Sequence, residues 1–354
     1  MESVSKSNMF LVLAATVYIA GSFMLVPIMS VFTLLHWNIP NWLLIASSQV
    51  LLSLPIIFCL LQNRSYKNRE FTESLGFTAP GLINIVLGVV LGLLAIPLMG
   101  FIGNLTMVIF GDAAQNPVDL GFNTTSDMVM ILICSSVLPG LFEEIAFRGF
   151  FASGYRKKPF AVAALMNGLV FGMIHMSLYQ FFYAFVAGVF LFTLRHFSRS
   201  IWPAIVAHFT INFTQVAMSF LLEPAVNSTS HMVEDEGSLA LSLAVLLISL
   251  AILGVLLTFY IKYNLARNAA KGFNPDIGEK GDENRLVATF VPPYLYKLST
   301  ARLKIIPENP FDVPMFIFMA MYVAIGLLDI FSRTQMADMV NYTFNAVSLF
   351  KFFG

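Results

Sequence analysis

Polar residues are sparse along this chain, and they gather in clumps between long apolar runs. The runs occupy roughly residues 9–36, 40–62, 81–110, 128–153, 159–178, 179–197, 201–222, 237–262 and 314–332. A helix rises about 1.5 Å per residue, so about 20 apolar residues cross the hydrocarbon core of a bilayer. The pattern predicts an all-α, polytopic membrane helix bundle of about eight or nine transmembrane helices. The fifth and sixth runs are the hardest to separate, because only "MSLYQ" (176–180) stands between them. The first run follows "MESVSKSN" directly. It is too long for a signal-peptide core and has no clear cleavage site, which predicts a retained anchor helix.

Composition agrees with the pattern. Of 354 residues, 58% are hydrophobic and 11% charged, against about 25% charged in ordinary soluble domains. The formal net charge is zero, which gives no basis for nucleic-acid binding. Cys59 and Cys134 each lie inside an apolar run and have no metal-ligand spacing, so they read as small buried hydrophobes.

The charges are segregated by position. With the N-terminus cytoplasmic, the inner segments receive Lys6, then Arg64, Lys67 and Arg69, then Arg156, Lys157 and Lys158, then Arg195 and Arg199, then the cluster from Lys262 to Lys304. The outer segments receive Asp112, Asp119 and Asp127, later Glu223, Glu234, Asp235 and Glu236, with Arg333 and Lys351 as exceptions. Short basic loops stay cytoplasmic, so the alternation predicts an N-in, C-out orientation. It also predicts an integral, multi-pass protein, in the cell membrane if the source is prokaryotic. Three regions follow: N-terminal helices over 1–80, a core over 81–222, and 223–354 with a polar segment at 263–313 and a final helix. Within that segment "NPDIGEKGDENR" reads as a loop. The stretch after it mixes apolar and basic residues, so it reads equally as a membrane-surface segment or as a linker.

One stretch breaks the apolar rule: "SSVLPGLFEEIAFRGFF", Ser135 to Phe151. A charged residue at the centre of a span costs about 2.5–3.5 kcal/mol. Such residues therefore pair, face a cavity or carry function. Glu144 and Arg148 are four apart and share a helix face, whereas Glu143 is turned about 100° away. The spacing gives Glu144 to Arg148 and leaves Glu143 for another purpose. Pro139 and Gly140, one turn earlier, predict a kink.

Polar groups recur in the later spans. "FGMIH" places Phe171 and His175 on one face, and "HFTIN" does the same for His208 and Asn212. Counted from the basic borders, Glu143 lies about 20 Å, His208 about 14 Å and His175 about 26 Å into the membrane. Read from residue types alone, the set is compatible with a hydrolytic site, with a proton or ion path, or with hydrogen-bonded helix staples.

Here a resemblance enters. "EEIAFR" resembles the E-E-x-x-x-R motif of the CPBP family (Abi or type II CAAX prenyl protease-like intramembrane endopeptidases). "FGMIH" is similar to its F-x-x-x-H motif and "HFTIN" to its H-x-x-x-N motif. The order, and the steps of 32 residues from Glu143 to His175 and 33 from His175 to His208, suit that family over roughly 126–215. The resemblance implies an intramembrane endopeptidase acting on a membrane-associated peptide or protein in the lipid bilayer. Glu143 and His175 would activate water; His208 and Asn212 would stabilise the oxyanion. Glu144, Arg148 and Phe171 would support them.

A metal mechanism is the internal rival. Glu143, His175 and His208 would then ligate zinc. The lack of an H-E-x-x-H pair and the presence of Asn212 favour a metal-free site. Two other classes stand beside the protease: a non-proteolytic scaffold or bacteriocin-immunity protein, and a proton-coupled transporter. The transporter would show repeated halves, and none is visible.

Overall fold

Each apolar run of the sequence is a helix. In the computed structural model, residues 3–37, 39–62, 69–111, 124–156, 158–228, 236–271 and 309–335 are described. They form α1 (Val4–Leu34), α2 (Asn41–Gln62), a short α3 (Arg69–Ser74), α4 (Leu82–Phe110), α5 (Thr125–Gly154), α6 (Phe160–Ile174), α7 (Leu178–Ser198), α8 (Trp202–Ser228), α9 (Glu236–Ala270) and α10 (Val313–Gln335). No strand occurs among the described residues. Seven of these helices are long and apolar enough to cross a membrane, and α6 and α10 are shorter apolar helices. The chain is a polytopic helical bundle. Arg64, Lys67, Lys157, Asp112, Asp119, Glu234, Asp235, Lys304 and Lys351 lie outside the described residues, as does most of the 263–313 segment.

The fifth run falls short of its expected span. α6 has 15 residues, about 22 Å, and it stops at Ile174 rather than near 178. Ser177 caps the next helix by accepting a hydrogen bond from the Gln180 backbone N–H. Met176 makes the turn with φ 51°. Met176 and Ser177 are both buried, so irregular backbone here is enclosed by protein rather than lipid, the condition under which a membrane interior tolerates it.

Close helix crossings draw the core together. α4 meets α8 where Gly88 and Gly92 face the backbone of Pro203 and Ala207; a Cβ on either glycine would stand 2.9 Å from a carbonyl oxygen. Small residues let membrane helices approach in this way. α6 and α7 cross at Gly168 and Gly188. Gly92→Leu is therefore expected to push α8 away and cost about 1–3 kcal/mol of stability. Unfolding in mixed micelles would measure it, with Gly254→Leu, which faces open space, unchanged.

The two ends of the bundle differ. At the end carrying the N-terminus, residues 74–80 run across the ends of α7, α8 and α9. Arg195 donates to Ser74 O (2.9 Å), Ile201 N–H to Gly76 O (2.8 Å), Ser200 Oγ to Thr78 O (2.6 Å), and Arg267 Nη1 also binds Pro80 O (2.5 Å). The final helix docks at this end too. Asn8 donates to Asp312 Oδ1 at 2.8 Å and accepts from the Tyr155 hydroxyl at 2.8 Å, which ties α10 along α1. Between α4 and α9, the buried Asn84 and Asn264 exchange amide hydrogen bonds of 2.8 Å.

Candidate functional site

α5 is built to hold its charged residues inward. Its middle is a seven-residue α-helical piece, Leu138–Glu144, between two π-helical pieces, Ile133–Val137 and Ile145–Phe151. Leu138 N–H reaches back five residues to Ile133 O, and Ala152 N–H to Phe147 O. Wide turns of this kind concentrate at functional sites. Pro139 and Gly140, where the sequence predicts a kink, lie within the α-helical piece between these turns. Pro139 has no N–H for Ser135 O, its α-helical partner, and that carbonyl accepts from Asn212 Nδ2 at 3.0 Å. Gly140 lies against Phe209, where a Cβ would stand 3.3 Å from the backbone nitrogen. The sequence of α5 thus both frees an acceptor for Asn212 and lets α8 come close.

Glu144 has two partners rather than one. It accepts from Arg148 Nη1 at 2.9 Å, as the spacing predicts, and the same Oε1 also accepts from His208 Nδ1 at 2.9 Å. Glu144 and Arg148 are fully buried. Arg148 also donates to Gly188 O at 3.3 Å and lies over the Phe171 ring, 4.1 Å from its centroid. Phe171 in turn meets His175 and His208 edge-on, with centroids 5.0 and 5.6 Å away. The phenyl ring of the second motif is thus a wedge touching the cation and both imidazoles.

The tautomers follow from the partners. A carboxylate only accepts, so His208 carries its proton on Nδ1. Its Nε2 then accepts from Asn212 Nδ2 at 3.2 Å and stands 3.9 Å from Glu143 Oε2. His175 Nδ1 lies 2.6 Å from Phe171 O, a carbonyl one turn back, so it too carries the proton there. Its lone pair is on Nε2.

Glu143, His175, His208 and Asn212 surround one cavity of about 430 Å³. All four residues predicted to be catalytic are brought together. Glu143 Oε1 accepts from Gln49 Nε2 of α2 at 3.1 Å, whereas Oε2 is buried with no hydrogen-bond partner among the described residues. Sequence reasoning missed Gln49. It sits in an apolar run 94 residues before Glu143, and its only signal was a buried-type amide within a span. Tyr183 and Gln215, also on the cavity wall, were missed as well.

A zinc ion bound through His208 Nε2 would have to displace the hydrogen bond from Asn212. Both nitrogens of His208 are engaged, by Glu144 and Asn212. Among the described residues no group of three His, Cys, Asp or Glu side chains is disposed to hold a metal.

Spans and site together define a multi-pass integral membrane protein with a buried carboxylate–imidazole centre. Residues 125–214 match the family described as "Type II CAAX prenyl endopeptidase Rce1-like". The chain is 29% identical over 131 residues to a Bacillus subtilis (strain 168) protein described as "Putative membrane peptidase YdiL", covering 36% of this chain and 52% of that one. It spans about half the length of the curated relative it matches. No solved structure matches. The two likenesses bear out the CPBP resemblance, and the family match contains all three motifs.

Proposed function

We propose that this chain is an intramembrane endopeptidase that hydrolyses a peptide bond in a membrane-associated peptide or protein with water activated by Glu143 and His175. One observation carries the reading most: a buried carboxylate oxygen, Glu143 Oε2, with no hydrogen-bond partner among the described residues, on a cavity it shares with two imidazoles. The Rce1-like match over 125–214 and the peptidase relative support it.

Glu143 takes a proton from water while His175 Nε2 orients it, and the oxygen attacks the carbonyl carbon. The C–N bond then breaks, and the proton held by Glu143 passes to the departing amine. One water is consumed, leaving a carboxylic acid and an amine. His208 and Asn212 have no spare donor while His208 is singly protonated, because Asn212 gives one N–H to Ser135 O and one to His208 Nε2. Turning the Asn212 N–H from His208 Nε2, 3.2 Å away, to the substrate carbonyl oxygen supplies a donor without any further proton. Donors aimed at a developing oxyanion in a dry site each contribute about 2.7–4 kcal/mol. The proton-relay alternative lacks its acids: among the described residues Glu143 and Glu144 are the buried carboxylates, and they lie at one depth.

Gln49 holds Glu143 from the side away from His208. Gln49→Leu is expected to lower kcat about tenfold to a hundredfold, the loss of one charge-assisted hydrogen bond of about 1.5–3 kcal/mol, with KM nearly unchanged. Gln49→Glu lowers it further by placing two carboxylates together. The reading as a whole is tested with purified protein in proteoliposomes, offered a library of membrane-anchored peptides and followed by mass spectrometry. Fragment pairs whose masses sum to the parent plus one water, absent with His175→Ala, are expected. Fragments formed equally by both proteins would overturn it.

A further inference from the structure

We infer that the final helix, α10, is a positioning element for the candidate site: through Tyr322 and Ile325 it holds Met176 in the strained turn that aims His175 at the cavity. The catalytic consequence rests on the protease reading; the effect on the His175 ring rests on the packing alone. α10 lies outside residues 125–214, the segment that carries the family match.

His175 stands where regular structure stops. It ends α6 with φ −71° and ψ −12°, so only the backbone before it is held by helix. The chain turns at the next residue. Met176 has φ 51°, and its N–H closes a tight turn on Met173 O at 3.1 Å. This left-handed conformation crowds the Cβ of every residue that has one, and glycine alone adopts it freely. A residue with a side chain keeps such a conformation only where its surroundings dictate it. What methionine adds over glycine is a long, adaptable side chain that fills an irregular gap.

That gap is closed by helices from both ends of the chain. Met176 is buried in an apolar cluster with Ile325 of α10, and Tyr322 of α10 and Ile19 of α1 pack against the pair. The Tyr322 ring also meets Phe181, near the start of α7, with centroids 5.9 Å apart. Phe181 N–H in turn donates to Ser177 O at 2.9 Å. α10 therefore braces the turn from both sides of Ser177.

α10 is itself fixed in register. Met315, Phe318, Tyr322 and Ile325 recur every three or four residues and share one helix face, and all four are buried or partly buried. At its start Asp312 Oδ1 accepts from Asn8 Nδ2 at 2.8 Å and from the Met315 N–H at 3.1 Å. Asn8 accepts in turn from Tyr155, directly after α5. The rise from Asp312 to Ile325 is about 20 Å, so the latch at one end of α10 sets where Ile325 stands further along. One helix thus connects the base of the helix that carries Glu143 with the turn that carries His175.

With Met176 seated, His175 Nδ1 stays on Phe171 O at 2.6 Å, and the two rings meet edge-on at 5.0 Å. Nε2 is then left for water. Without the seat the turn relaxes and the ring is released from that carbonyl.

The test uses the full chain in lipid bilayers, isotope-labelled at the histidine nitrogens, and reads the His175 tautomer by solid-state NMR. The signal is assigned by its loss in His175→Gln. Wild type is expected to show one species, with Nδ1 protonated and Nε2 bare. Ile325→Ala, and the milder Tyr322→Leu, are each expected to give a mixture that includes the Nε2-protonated ring. Both should lower kcat about tenfold to a hundredfold with KM nearly unchanged, the size of effect that misplacing a catalytic group produces. Ile325→Leu, which conserves volume, should keep the wild-type tautomer and rate, as should Val323→Ala on the exposed face of α10. A wild-type tautomer in both Ile325→Ala and Tyr322→Leu overturns the inference, even if activity or stability falls. Failure of the protease reading would show as no cleavage by any of these chains, wild type included, while the tautomer change would still be seen.

Discussion

Glu143→Gln is expected to abolish cleavage while leaving the protein folded and in the membrane. The amide is nearly isosteric, still fits beside Gln49, and removes a charge that burial disfavours, so stability should hold or rise slightly. What it loses is the proton acceptor. General-base catalysis by a positioned carboxylate contributes about 10²–10⁴-fold, and here it is combined with nucleophile activation inside an apolar bundle where bulk hydroxide is scarce. The loss should appear in kcat, with substrate still bound. A trapped complex between the variant and its substrate, recovered by crosslinking through the cavity wall, would confirm that split. A variant that cleaves at the wild-type rate would remove Glu143 from the chemistry.

The second large effect concerns Glu144, Arg148 and His208. Arg148→Ala should destabilise by about 3–5 kcal/mol, because it leaves a buried carboxylate without its cation. It also removes the group stacked on Phe171. Glu144→Leu should cost a similar amount by stranding the guanidinium. The double variant Glu144→Leu, Arg148→Met should be less destabilised than the sum of the singles, since neither charge is left unpaired, a coupling that a double-mutant cycle reads directly. It should nonetheless remain inactive. Glu144 also fixes the His208 tautomer through the 2.9 Å bond to Nδ1, and the double variant has nothing to replace that acceptor. A staple that only joined helices would regain activity with stability. Recovery of folding without recovery of cleavage separates the two roles.

Much of this was visible in the chain before any coordinates. The apolar runs located the helices because a span must be long and nearly uncharged, which leaves a strong one-dimensional signal. The three motifs located Glu143, His175, His208 and Asn212 because polar groups stand out against lipid-facing sequence. The break at "MSLYQ" marked a real turn, though α6 ends earlier than the run of apolar letters does; the buried turn is apolar because protein, not water, surrounds it. Other features left no such trace. The π-helical turns of α5 depend on which carbonyl each N–H selects, and side-chain pattern does not encode that choice. The second bond of Glu144, to a histidine 64 residues away, depends on how closely α8 approaches, which Gly140 permits but does not announce. Gln49 belongs to a helix outside the matched segment, where an amide in a span reads as an interhelical hydrogen bond. Its partner becomes apparent only when α2 is laid against α5.

The central claim is that this membrane protein cuts peptide bonds and that Glu143 is indispensable. The most direct test compares newly formed protein N-termini in membranes from cells producing the wild-type chain or Glu143→Gln at matched abundance. The account predicts a small set of termini present with wild type and missing with the variant, all within membrane-associated proteins or peptides. Identical sets of termini, with both proteins folded and inserted, would contradict it.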